Sequence, residues 1–120
     1  MEIVETYLGR RRRELRSRRY DNAWQRLRPA LELLYQQGAT EIFLFGSITD
    51  PEKFTEHSDI DIAVRGLPDE KHLEIEGRLE DILGDLEYDI IFLEEENEVR
   101  HEIMERIKEK AILWKPSLST

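Results

Sequence analysis

Three aspartates are the residues whose types and spacing point to chemistry. Asp59 and Asp61 lie in the run Asp59-Ile60-Asp61-Ile62-Ala63-Val64, and Asp89 lies in the run Tyr88-Asp89-Ile90-Ile91-Phe92-Leu93. Residues two apart on a strand point to the same face, so Asp59 and Asp61 are expected side by side. Adjacent carboxylates repel, and burying them without a partner is costly. A divalent cation offsets that cost, and magnesium suits it, because it takes hard oxygen ligands and shares them with substrate phosphates. Asp89 raises the same question, as a bare carboxylate in an otherwise apolar strand. If its strand lies beside that of Asp59 and Asp61, three carboxylates converge.

Gly46-Ser47 supplies the other half. A glycine closing an apolar strand lets the backbone turn sharply and lets a ligand come close. A serine after it, opening a short helix, offers a hydroxyl and backbone N–H groups to a phosphate. Metal-held carboxylates on one side and phosphate donors on the other describe phosphoryl or nucleotidyl transfer. Two metal ions there stabilise both the attacking and the leaving oxygen.

The elements that must position these residues are legible. Ile42-Phe43-Leu44-Phe45 is a short, branched and aromatic strand closed by Gly46. The two aspartate runs are the other strands, the first ended by Gly66 and Pro68 and the second preceded by Gly84. Ala23, Leu27, Ala30, Leu31 and Leu34 recur at helical spacing up to Gly38, and Pro29 is expected to kink or divide that helix. Leu73, Leu79, Ile82 and Leu83 mark a second helix. Val99, Ile103, Ile107 and Ala111, with Met104 alongside, mark a last one. Strands separated by helices predict an α/β (α+β) domain with a small mixed sheet of three to four strands. The expected organisation is a basic helical arm over 1–20, one domain over 21–115 and a loose tail over 116–120.

Gly46-Ser47, Ser58-Asp59-Ile60-Asp61 and the later Asp89 resemble the signature of DNA polymerase beta-type nucleotidyltransferases, and most closely the small bacterial branch called minimal nucleotidyltransferases (MNT). The resemblance runs from Ala39 to Trp114. It implies the nucleotidyltransferase fold and transfer of a nucleoside monophosphate, AMP above all, from an NTP to a hydroxyl with Mg2+. By it, Asp59 and Asp61 bind two metals and the triphosphate, Asp89 completes a metal site and helps deprotonate the attacking hydroxyl, and Gly46 and Ser47 hold the phosphates. It also implies a partner. Many MNT proteins pair with a helical HEPN-domain protein, a ribonuclease toxin that the MNT protein neutralises, in some pairs by adding AMP to a tyrosine. Two departures stand out. Eleven residues, Ile48 to Ser58, separate Ser47 from Asp59, one more than that branch usually has. The segment after Ser47 reads Ile48-Thr49-Asp50-Pro51-Glu52 without the branch's usual arginine, and Lys53 is its only base, which implies weakened NTP binding.

Bulk properties fit this picture. A chain of 120 residues suits one core. It contains no cysteine, which excludes disulfides and thiolate metal sites. No apolar run approaches the roughly 20 residues needed to span a bilayer, and the N-terminal order of charge and apolar residues is wrong for a signal peptide, so a cytoplasmic protein is expected. The net charge of −9 is uneven: residues 1–28 carry nine Arg against four acids, and the remainder nine bases against twenty-three acids. Such a basic arm can be a solvated helix face, fold against its own acidic body, offer a surface to a protein partner or a second copy, or, least favoured, bind nucleic acid. His57, His72 and His101 show no ligand spacing and read as surface residues, Trp24 and Trp114 as packing residues, and Glu94-Glu95-Glu96 as a solvated turn. Two functions stay open: a magnesium-dependent transferase, or a module of the same fold that neutralises its partner by occlusion alone.

Overall fold

The computed structural model describes residues 6–94 and 98–116. Glu95, Glu96, the side chains of Val99 and Ile103, and residues 117–120 of the expected tail lie outside it. The order of elements is α1 (Tyr7–Gln36), β1 (Glu41–Phe45), a 3-10 turn (Gly46–Thr49), β2 (Ile60–Arg65), a second 3-10 turn (Asp69–Lys71), α2 (His72–Leu83), β3 (Tyr88–Phe92), α3 (Glu98–Lys110) and β4 (Ile112–Trp114).

The four strands form one mixed sheet in the order β3-β2-β1-β4. β1 runs antiparallel to both β2 and β4, and β2 runs parallel to β3. β4, three residues long, is the strand that the sequence pattern did not mark.

Because side chains alternate along a strand, the sheet has two unlike faces. Ile42 and Leu44 of β1 line up with Val64 and Ile62 of β2, and Ile90 and Phe92 of β3 continue the row. This face is buried by α1, through Leu27, Leu31 and Leu34, and by α2, through Ile75, Leu79 and Leu83. On the other face Phe45, Ala63 and Leu93 form a small cluster under Met104, Ile107 and Ala111 at the end of the chain.

The structure corrects a division at Pro29, the surface position of His72 and the place of Leu73 in the α2 stripe. Pro29 does not divide α1, which runs as one helix from Tyr7 to Gln36. The ring sits on the exposed side of the helix. Its cost of about 3 kcal/mol is outweighed by the buried leucines around it, each contributing ~1.5–3 kcal/mol. His72 is not a surface residue. It is 9% exposed, lies flat on Phe92 with centroids 3.6 Å apart, and its Nε2 is 3.0 Å from the Leu67 carbonyl oxygen. The turn over 69–71 sets the rotation of α2 so that His72, Ile75, Leu79 and Leu83 face inward, and Leu73, expected in the stripe, is 83% exposed. His57 and His101 are exposed as expected.

α1 extends far beyond the core it helps to build. Its buried positions begin at Ala23. The molecule measures 58 Å along its longest axis against 30 and 29 Å across, as expected for a 30-residue helix that is ~45 Å long at ~1.5 Å per residue. Among the described residues no helix is long and apolar enough to cross a membrane.

Candidate active site

The carboxylates collect at the end of the sheet where β1 finishes and β2 and β3 begin. Asp61 is the register partner of Phe45 on one side and of Asp89 on the other. Asp61 and Asp89 are therefore neighbours on the same face, the one that carries the small α3 cluster. Asp59 lies just before β2, whose pairing with the third strand opens with the Ile60 N–H bonded to the Glu87 carbonyl at 2.9 Å. Asp61 is half-buried, and Asp59 and Asp89 are exposed.

Gly46 is fitted to Asp61. Its φ is 80°, in the left-handed region, and a Cβ there would strike the Asp61 carboxylate. A side chain at this position would both strain the turn and displace the acid. The turn after it is held from two directions. Thr49 Oγ1 donates to the Gly46 carbonyl at 2.7 Å, and Tyr20 Oη, from α1, donates to the Ile48 carbonyl at 2.8 Å. Ser47, at the second position of the turn, is half-buried. Ser58 closes the approach to Asp59, with its Oγ accepting from the Thr55 N–H at 2.8 Å.

The electrostatics of the site are those of uncompensated acid. Burial pushes the Asp61 carboxyl above its usual range, and the charges of Asp89 and Asp59 push it further, while Arg106 on α3 pulls it down. Among the described residues no lysine, arginine or histidine forms an ion pair with Asp59, Asp61 or Asp89. A groove of about 640 Å³ beside Asp59 and Asp89 is rimmed further by Glu80, Asp81 and Glu87. A larger one, about 840 Å³, lies on the other side of α1 between Trp24 and Trp114 and does not reach the aspartates.

The donor chemistry suits a hard divalent cation: carboxylate oxygens that repel one another, without a cationic side chain in contact. As they stand, no group of three acidic or histidine side chains among the described residues is close enough to hold an ion. The aspartates are aligned by the sheet without being closed into a cage. All five expected residues, Gly46, Ser47, Asp59, Asp61 and Asp89, fall at this one end of the sheet. Two residues bearing on the site were not legible in the sequence. Arg106 looks like one more charge on an exposed helix, and Tyr20 lies 28 residues from the carbonyl it holds. The helical spacing of Met104, Ile107 and Ala111, three and four residues apart, sets Arg106 next to the inward stripe of α3, a signal too general to single it out.

This fold and this end of the sheet correspond to a known class. The model of the family described as "Polymerase beta, Nucleotidyltransferase" matches residues 32–114, and the chain belongs to that family. Among solved structures, the chain is similar to one from the "Crystal structure of the toxin-antitoxin with AMP-PNP", at 25% identity and a TM-score of 0.55, over 72% of this chain and 70% of that one. No curated protein matches it. The family match begins inside α1, so the arginine-rich half of that helix lies outside it.

Proposed function

We propose that the protein is the nucleotidyltransferase of a toxin–antitoxin pair and transfers AMP from ATP to a hydroxyl of its protein partner. The observation that carries this reading is the register of β2 and β3, which sets Asp61 opposite Asp89, with Gly46 against the Asp61 carboxylate. The family match supports the transferase class. The similar toxin–antitoxin structure, which contains AMP-PNP, supports an adenine nucleotide donor and a protein partner. By the resemblance stated above, that partner is a HEPN-type toxin, the acceptor a tyrosine and the compartment the cytoplasm.

In this reading Asp59, Asp61 and Asp89 hold two Mg2+ ions, which supply charge neutralisation for the triphosphate and for the oxygens that gain charge during transfer. Gly46 leaves room for the phosphates, and Ser47 donates to them. Asp89, the exposed carboxylate at the rim, accepts the proton of the acceptor hydroxyl. The hydroxyl oxygen forms a bond to the α-phosphorus, the bond from that phosphorus to the bridging oxygen breaks, and pyrophosphate leaves with the electron pair. Arg106 is the cation that Asp61 senses, and it offsets in part the arginine missing after Ser47.

The test is thermal denaturation with Mg·ATP, followed by transfer of labelled AMP to the partner. Mg·ATP raises the melting temperature, and Asp59→Asn/Asp61→Asn removes the rise. One observation favours a second reading: the acidic side chains do not close into a ready ligand set. A protein that neutralises its partner by occlusion would show no magnesium-dependent shift with any of the four common NTPs, while still blocking the toxin.

A further inference from the structure

The arginine-rich half of α1 stands beside the mouth of the candidate site and has no core to serve. Its position follows from two contacts. Tyr20 Oη reaches the Ile48 carbonyl at 2.8 Å, and Arg19 pairs with Glu56 at 3.6 Å. Residues 19 and 20 are thus level with the Gly46–Thr49 turn and with the loop that leads into Asp59. Residues 7–18 continue past that level, over ~18 Å at ~1.5 Å per residue, beyond the end of the sheet where the aspartates lie.

This projecting segment has a marked composition. Residues 7–19 contain seven Arg and a single acid, Glu14, while residues 29–120 contain nine bases and twenty-three acids. Tyr7, Leu8 and Leu15 are 72%, 63% and 42% exposed, and Leu8 and Leu15, seven apart, share one side of the helix. A helix without a buried apolar stripe that repels itself along its length is marginal in isolation. Here it continues from the packed half, with Thr6 Oγ1 accepting from the Gly9 N–H at 3.0 Å at its start and Arg11 paired with Glu14 at 3.5 Å.

We propose that residues 7–19 dock an acidic segment of the protein whose hydroxyl is brought to Asp61 and Asp89. The proposal rests on the transferase reading above and names how its acceptor is recognised. Charge complementarity selects an anionic partner for the arm. The surroundings select protein over nucleic acid. Glu56, Asp59, Asp81, Asp85, Glu87 and Asp89 rim the site end, and a continuous polyanion laid from the arm to the site would meet them all. A folded protein can place acids against the arginines and a neutral hydroxyl at the site. Leu8, Leu15 and Tyr7 add apolar contact of a kind that a phosphate backbone does not use.

The test uses the full chain without nucleotide or magnesium. Two fluorescent probes are titrated at fixed ionic strength: a glutamate–tyrosine copolymer and an oligouridylate of similar charge. The copolymer binds more tightly than the oligouridylate. Arg10→Glu/Arg12→Glu/Arg16→Glu weakens the copolymer by roughly tenfold or more, as expected for reversing three charges on the arm. Leu8→Ser/Leu15→Ser weakens the copolymer and leaves the oligouridylate unchanged. Copolymer binding that survives the charge reversal overturns the proposal. So does tighter binding of the oligouridylate with no effect of the leucine changes, which would make the arm a nucleic-acid element. The arm variants leave the Mg·ATP thermal shift in place, so loss of docking and loss of the transferase reading are seen in separate measurements.

Discussion

The two faces of the sheet are built from the same strands and differ in what covers them. One face is closed by α1 and α2 over a continuous row of branched and aromatic side chains. The other carries a cluster of three buried residues under α3, and the row ends in carboxylates. Stability is concentrated on the first face. The second is left thin, and the acids there remain partly in water, where they can exchange a solvent shell for ligands. A face buried like the first would force those carboxylates to pair or to take up protons.

This contrast can be broken from either side. The largest effect is expected on the thick face. Leu31→Ala, at a fully buried position, lowers unfolding free energy by about 2–5 kcal/mol, read as a drop in the urea midpoint at unchanged slope. On the thin face, Gly46→Ala forces a side chain into a φ of 80° and against Asp61. It costs about 1–2 kcal/mol in backbone strain and removes the Mg·ATP thermal shift, which Leu31→Ala retains wherever the variant is folded.

Asp61→Asn sharpens the comparison because its sign is opposite. Burial, Asp89 and Asp59 hold the Asp61 carboxyl above its ordinary range. The folded state then binds the proton more tightly than the unfolded state, so ionisation costs stability above the folded pKa. That cost is relieved as pH falls through the folded value toward the unfolded one. The asparagine variant without ligand therefore melts higher than the unsubstituted protein at neutral pH. The gap closes on acidification, and the variant gains nothing from Mg·ATP. A lower melting temperature at neutral pH would mean that Asp61 is a structural acid. The smallest effect is expected off both faces: Arg10→Glu/Arg12→Glu/Arg16→Glu changes unfolding free energy by no more than about 0.5 kcal/mol, measured by urea titration, because the arm buries no core.

The strands that matter were legible because their signals are local. Alternation over Asp59–Val64 and a glycine after an apolar run each report on a few consecutive residues. β4 was missed for the same reason: Ile112–Trp114 is a strand only because β1 offers an edge to pair with. His72 was misread because a single histidine carries no periodic signal, and its burial depends on Phe92, twenty residues on. Pro29 does not end its helix, because the leucine packing on the buried side outweighs the local propensity cost.

The sequence by itself determined the chemistry on offer: three acids on two strands, a glycine–serine turn, and an arginine-rich helix ahead of an acidic body. Those are matters of residue type and short spacing, which covalent geometry fixes. Tertiary structure alone decided that β2 and β3 run parallel and in the register that sets Asp61 opposite Asp89. It also brought Arg106 near enough to Asp61 for its charge to act there, and Tyr20 to the turn beside it. Strand order and the packing of distant helices depend on which apolar faces bury one another, and no local pattern encodes that choice.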